Sequence, residues 1–530
     1  MSSRAGAADF RSSLPRVISR IATFVLTGIE AVPCEVEAGL TRSELPSTTI
    51  VGLPDAAVRE SIERVRSAIL SSRFAHPFGR VTVNLAPADL RKEGPVYDLP
   101  IAVALLLLGD AIDEKASGEK GGGDRPDPDD FLIAGELALD GRVRPVRGVI
   151  SLAMLAKRRR KRGVVVPIAN AAEAAVVDDI EVYGASTLAD VVGFFNGHGT
   201  LERSPPIDAD ALLSTGNAEL DFADVRGQEA AKRAMTIAAA GMHNVLLIGP
   251  AGSGKTMMAR ALPGILPPLA REEALEVTRV FSAIGAVPRG ASLITRRPVR
   301  TPHHSASAAA IVGGGTVPRP GEVSLAHHGV LFLDELPEFQ RTVLEGLREP
   351  LEDGFVTVSR MQGTIRYPAR TLLVAAMNPT HRGDRSAGED GQREQERYLR
   401  RLSGPLIDRI DLHVEVRAVA FGELASAARG SNSALLAARV KAARDRARER
   451  QGILPNAQLP GRELDRHAAL DATSRELLGR AMAELGLSAR AYDKIRRVAR
   501  TVADLEGVAA VEPHHVAEAI QYRLLDRRPR

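Results

Sequence analysis

The stretch NVLLIGPAGSGKT at 244–256 constrains this chain more than any other. An apolar run, Val245 to Ile248, enters a loop matching GxxxxGK[ST], and TMMARAL then continues at helical spacing. That order predicts a buried strand, a tight loop and a helix. Glycines at 249, 252 and 254 let the backbone turn sharply and aim its N–H groups at phosphate oxygens. The helix start adds a favourable dipole. The loop of Gly249, Pro250, Ala251, Gly252, Ser253 and Gly254 is therefore expected to cradle the phosphates of ATP. Lys255 would reach the β- and γ-phosphates, and Thr256 would ligate Mg²⁺ through its hydroxyl. The expected fold class is α/β, a P-loop core built on a parallel sheet.

A second apolar run, in GVLFLDELPE at 329–338, ends in Asp334 and Glu335. Two carboxylates at the carboxyl edge of a buried strand sit where open α/β sheets bind ligands. Asp334 would hold the Mg²⁺ shell and Glu335 would polarise the attacking water. TLLVAAMNP at 371–379 is another buried strand closed by a polar residue, Asn378. Its amide can orient the water or sense the γ-phosphate, and it also fits a turn before Pro379. LSGPLIDRIDLHVEV at 402–416 supplies Arg409, either an arginine finger or the partner of Asp408 or Asp411 in an ion pair.

The chain is too long, at 530 residues, for one ordinary core. The single cysteine, Cys34, excludes an internal disulfide and any multi-cysteine metal site, and it fits a cytoplasmic protein. No apolar run approaches the roughly 20 residues of a membrane helix; Leu99 to Leu108 is expected as buried core. Gly28 and Glu30 interrupt the run after the basic N-terminus, which argues against a secretory signal. A break over 203–220 divides the chain at about 205. Before it, Val58, Ile62, Val65 and Ile69 mark an amphipathic helix over 56–70, while RVTVNLA (80–86) and GVVVP (163–167) are strand-like. After about 420 the chain is mostly helical, with Tyr492, Ile495, Val498, Val502 and Leu505 on one buried face. The expected domains are 1–205, 206–420 and 421–530.

With these motifs, the chain resembles the magnesium-chelatase-like AAA+ proteins of the YifB/ComM family from about 20 to 525. The resemblance rests on VGLPDAAVRESIERVRSAI, VNLAPADLRKEGPVYDLPIA, GELALDGRVRPVRG, RTPHHSASAAAIVGGG, RPGEVSLAHHGVLFLDELPEF and AEAIQYR, besides the P-loop segment. It implies a homo-oligomeric ring, usually a hexamer, with an ATP-driven branch-migration helicase activity on single-stranded or branched DNA in natural transformation. It also implies Walker A at Gly249–Thr256, Walker B at Asp334 and Glu335, sensor 1 at Asn378, and a finger at Arg409 acting across a subunit boundary. LSARAYDKIRRVAR (487–500) resembles the C-terminal lid helix and puts the sensor 2 arginine at Arg490, with Arg496 and Arg497 close by. The N-terminal segment resembles the Lon-protease-like domain (ribosomal S5 domain 2-like, α+β). There Val96 and Ile150 stand where the catalytic serine and lysine belong, and neither can do that chemistry. Relatives commonly carry a cysteine cluster after the sensor asparagine. This chain has none, and His381 alone cannot build a zinc site.

A net charge of +4 permits an anionic partner without demanding one. Arg296, Arg297, Arg300, His303 and His304 cluster between the P-loop and Asp334. A hairpin expected over 351–369 would display Arg360 and Arg366. By resemblance both inserts face a ring pore, where they would track a phosphate backbone in a salt-dependent way. A solvated surface or subunit-interface ion pairs would give the same pattern. The rival function is a chelatase-type motor that remodels a partner protein.

Overall fold

The computed structural model describes residues 18–113, 125–213, 220–315, 317–360, 363–379, 402, 404–418 and 430–523. Contacts divide the chain into two compact units, the first drawn from Met1–Ala209 and Phe281–Leu293, the second from Asp210–Val280 and Ile294–Arg530.

In the first unit a four-stranded sheet runs in the order Ile18–Thr27, Glu30–Thr41, Arg80–Ala86, Ser47–Val51. The alternation read in RVTVNLA puts Val81, Val83 and Leu85 inward, each with no exposed surface, and Arg80 and Thr82 outward. The helix Ala56–Ser71 begins where Asp55 accepts the Val58 N–H at 2.8 Å, and it buries Val58, Val65 and Ile69. The helix Asp98–Leu108 is buried along its whole length, so the apolar run is core. Its one charged residue, Asp98, accepts from Arg64 Nε at 2.8 Å, from the Leu137 N–H at 3.2 Å and from Ser61 Oγ. Burial pushes that carboxyl up, and the Arg64 and Ser61 hydrogen bonds oppose the rise. A second, parallel sheet joins Phe131–Ile133, Gly163–Pro167 and Glu181–Ala185. Ile150 is fully buried and Val96 packs against the core.

In the second unit the expected parallel sheet is present with five strands, in the order Val299–Arg300, Val330–Leu333, Leu372–Met377, Val245–Ile248, Leu412–Glu415. From Val245–Ile248 the chain builds outward to both sides, so a crevice opens at the carboxyl end of that strand. The hairpin read over 351–369 is Phe355–Arg360 paired with Gly363–Pro368. Beyond 430 the described residues are helical: Ser433–Gln451, Gly461–His467, Ala472–Leu485, Ala489–Glu506 and Pro513–Gln521. The helix Ala489–Glu506 starts at Ser488, whose hydroxyl accepts the Ala491 N–H. It buries Ile495, Val498 and Val502 and half-buries Tyr492 and Leu505, the face expected from spacing. These residues share one core with Val245, Leu247, Val374 and Leu412. The fold class read from the sequence is the one observed.

Candidate functional site

Strand register brings the motifs together. Leu372–Met377 lies between the other two motif strands, with Met377 opposite Ile248 and Ala375 opposite Leu333. Gly249 and Asn378 therefore leave the sheet side by side, and Asp334 and Glu335 follow at the same edge. Gly249 must be glycine: a Cβ there would lie 2.0 Å from the Val416 carbonyl oxygen. Gly254, at φ +92°, turns the chain into the helix Lys255–Ala261.

Lys255 is 7% exposed. Its Nζ donates to the carbonyls of Gly249 and Pro250, both at 2.8 Å, and to Asn378 Oδ1 at 3.2 Å. Burial lowers the ammonium pKa, and the charges of Asp334 and Glu335 oppose that shift. Thr256 Oγ1 donates to Asp334 Oδ2 at 3.0 Å, while Asp334 Oδ1 accepts the Glu335 N–H at 3.0 Å. Glu335 holds a left-handed backbone (φ 52°, ψ 48°), uncommon for a residue with a side chain and costing roughly 1 kcal/mol.

These residues fit a magnesium triphosphate. Ser253 Oγ is buried with no hydrogen-bond partner among the described residues, at the loop that would receive phosphate. The hydroxyl of Thr256 and the carboxylate of Asp334 are the hard oxygen donors that Mg²⁺ prefers, and they already touch.

Arg409 and Arg490 are not part of this cluster. They line a cavity of about 520 Å³ with Glu352, Arg370, Asp411, Lys494 and others, and its lining includes no P-loop residue and none of Asp334, Glu335 and Asn378. Arg409 does form an intramolecular ion pair, but with Glu352 rather than with Asp408 or Asp411. Its Nη1 donates to the Pro405 carbonyl at 2.8 Å. Arg490 reaches the other oxygen of Glu352 at 3.9 Å. Arg496 is buried against the carbonyls of Leu464 and Ala468, and Arg497 donates to the Leu459 carbonyl. Arg490, with 57% of its side chain exposed, is the most accessible of the three.

Sequence alone did not reveal the polar link beneath Arg409. Lys494, on the helix Ala489–Glu506, donates to the Arg409 carbonyl at 2.9 Å and to Asp411. Asp411 also accepts the Asn244 N–H at 2.9 Å. Burial alone would raise the Asp411 carboxyl; Lys494 and His243 outweigh it and hold the group well below the usual range.

The basic residues expected to contact DNA fare unequally. Arg297 is 6% exposed and donates to Glu273 at 2.8 Å, to the carbonyls of Pro267 and Pro268, and to the His328 carbonyl. Arg300 makes a two-pronged pair with Glu322. His304 lies with Nδ1 3.4 Å from the Glu335 carboxylate, its ring stacked on His303 at 4.1 Å. These three correct the grouping drawn from sequence: each is engaged inside the chain, because folding brings Glu273, Glu322 and Glu335 from outside the basic cluster against Arg297, Arg300 and His304. Arg296 and His303 are exposed. Arg366 is exposed and lies over the Phe355 ring at 4.4 Å. The side chain of Arg360 and all of His381 fall outside the described residues.

Two groups place ligand-type atoms together: Glu276 with His327 and His328, and Glu506 with His514 and His515. In each, one imidazole Nδ1 accepts a backbone N–H, from Arg370 to His327 and from Glu512 to His515, both ring partners being fixed. The ring proton then sits on Nε2, the nitrogen facing the glutamate, so these are hydrogen-bond clamps rather than ligand sets. Among the described residues no helix is long and apolar enough to cross a membrane.

Comparison with known families matches residues 36–170 to "Subunit ChlI of Mg-chelatase", 221–424 to "Magnesium chelatase, subunit ChlI" and 430–523 to its C-terminal part. The chain is 45% identical over 504 residues to "Competence protein ComM" of Haemophilus influenzae, covering 94% of this chain and 96% of that one. It is 44% identical over 503 residues to YifB of Salmonella typhimurium, itself uncharacterized, covering 94% and 96%. Similarity to the magnesium-chelatase 38 kDa subunit of Rhodobacter capsulatus is 29% over 214 residues, 37% of this chain and 55% of that one.

Proposed function

Because the chain belongs to the YifB/ComM family of magnesium-chelatase-like AAA+ ATPases, we propose that it hydrolyses ATP as a ring of identical copies and drives DNA through that ring. The observation that carries the ATPase reading is the meeting of Lys255, Thr256, Asp334 and Asn378 at one sheet edge. Lys255 would hold the β- and γ-phosphates, exchanging the loop carbonyls for phosphate oxygens. Thr256 and Asp334 would hold Mg²⁺, which when bound neutralises charge on those oxygens. Glu335 would orient the attacking water, and Asn378, already bonded to Lys255, would report the state of the γ-phosphate. Arg409 and Arg490, grouped in a separate cavity, would act on the nucleotide of a second copy.

The DNA reading draws on the name of the competence protein from Haemophilus influenzae and on exposed Arg296, His303 and Arg366. A hexamer and branch migration during natural transformation are the finer form of the same proposal. The test is ATPase rate with single-stranded and branched DNA across a salt series. The expected result is stimulation that fades as salt rises, because phosphate contacts release counterions. A second reading, remodelling of a partner protein, is favoured by the engagement of Arg297, Arg300 and His304 within the chain. A rate indifferent to DNA at every salt concentration selects it.

A further inference from the structure

Glu352 stands in an unusual place. It lies near the end of the short helix Arg348–Asp353, and its carboxylate bridges the two arginines of the cavity, Arg409 through one oxygen and Arg490 through the other. Arg409 is nine-tenths buried, with 10% of its side chain exposed, and its Nε has no hydrogen-bond partner among the described residues. The buried guanidinium thus leaves its Nε–H unpaired, while Nη1 donates to the Pro405 carbonyl and Nη2 meets Glu352, the one carboxylate on it among the described residues. A carboxylate bridging two arginines offers the charge and oxygen spacing that a terminal phosphate would offer, but with half the charge or less.

We propose that Glu352 is an internal stand-in for phosphate. It neutralises Arg409 and Arg490 within the isolated chain, and it yields them when the γ-phosphate of a second copy's ATP arrives. This rests on the reading of Arg409 as a residue that acts between copies. Glu352 touches no reacting atom; it is a positioning residue that sets how readily the arginines are released.

Its attachment gives the exchange a consequence. Glu349, one turn earlier on the same helix, accepts the Thr357 N–H at 3.2 Å and the Thr357 hydroxyl at 2.6 Å. The helix is therefore fastened through its first turn to the first strand of the hairpin Phe355–Arg360/Gly363–Pro368, so that the two move together. Between them Gly354 takes φ +74°, a conformation that turns the chain abruptly. Release of Glu352 from Arg409 thus frees the foot of the hairpin that carries Arg366. The arrival of nucleotide at one copy and the position of a basic hairpin on its neighbour become one event.

The test compares full-length wild type with Glu352→Gln, which keeps size and hydrogen bonding but removes the competing charge. Steady-state ATPase is measured against ATP concentration. The proposal expects the KM for ATP to fall about two- to fivefold, with kcat at saturation little changed, the scale of one partly exposed ion pair. An unchanged or raised KM, in a variant whose thermal midpoint matches wild type, overturns it. Should Glu352→Gln melt early, Glu352→Asp takes its place: a carboxylate drawn back by one methylene must also lower KM, and failure to do so overturns the proposal equally. Arg409→Ala separates the two layers. If it leaves hydrolysis intact, the between-copies reading fails and the stand-in with it. If it abolishes hydrolysis while Glu352→Gln leaves KM alone, only the stand-in fails.

Discussion

The P-loop cluster and the arginine cavity lie in the same unit and are built in opposite ways. Around Lys255 the neighbours are groups that a bound phosphate and its metal could replace or join: loop carbonyls, the Asn378 amide, and the Thr256–Asp334 pair. Around Arg409 the positive charge is already met by an acid of the same chain, Glu352. The parts of the first cluster converge on one sheet edge, and the charge of the second is paired within the chain. On the proposed function these are two half-sites that do not meet in one chain, the arrangement a ring of copies would complete.

The comparison breaks most visibly if either half can work alone. Lys255→Ala is expected to lose nucleotide binding as well as turnover, read by a fluorescent ATP analogue. Arg409→Ala is expected to bind that analogue only a few-fold more weakly than wild type, roughly the scale of one partly exposed ion pair, and to lose roughly 10³-fold or more in kcat, the scale of an arginine finger. Equal loss of binding in both variants would merge the two clusters into one.

A smaller effect sharpens the second half-site. Lys494 ties the helix Ala489–Glu506 to the Arg409 carbonyl and to buried Asp411. Lys494→Met leaves that carboxylate without its cation, and the chain should lose about 3 kcal/mol in denaturant unfolding of the second unit. Turnover should fall while nucleotide binding at Lys255 persists. A variant as stable as wild type would mean that the pair contributes nothing net.

The smallest expected effect concerns the other end of the sheet that carries Asp334. His327 is buried and neutral, its pKa lowered by burial from 6.5 to about 4, while Glu276 is held well below the usual carboxylate range by its hydrogen bonds from His327 and His328. The unfolded chain takes up a proton on this histidine below about 6.5, whereas the folded chain resists until about 4. Stability therefore declines as pH falls through that window, by no more than about 3 kcal/mol. The Glu276 contribution is lost only at still lower pH. His327→Gln should flatten the decline in the thermal midpoint between pH 6.5 and 4; an unaltered slope would assign it to other groups.

How much of this was legible beforehand follows the same divide. The P-loop, the strand ending in Asp334 and the strand ending in Asn378 are each contiguous signals, because a buried parallel strand with a functional residue at its end writes itself into a few consecutive residues. The sheet then aligns them by register alone. The helical C-terminus was equally legible through the spacing of Ile495, Val498 and Val502. What sequence could not supply were pairings between distant polar residues: Glu352 with Arg409, 57 positions apart, and Asp411 with Lys494, 83 apart. No local pattern marks such partners, since only the folded chain decides which acid meets which base. The same blindness explains why Arg297, Arg300 and His304 looked available. Their acids, Glu273, Glu322 and Glu335, lie outside the basic cluster, and a count of positive residues does not see them.

The most direct test of two half-sites completed between copies is to mix Lys255→Ala and Arg409→Ala chains, each inactive alone, and measure ATPase. The account predicts that the mixture regains turnover, because an intact P-loop on one chain can meet an intact Arg409 on the next. A mixture as inactive as its components, with co-assembly verified by native mass spectrometry, would contradict it.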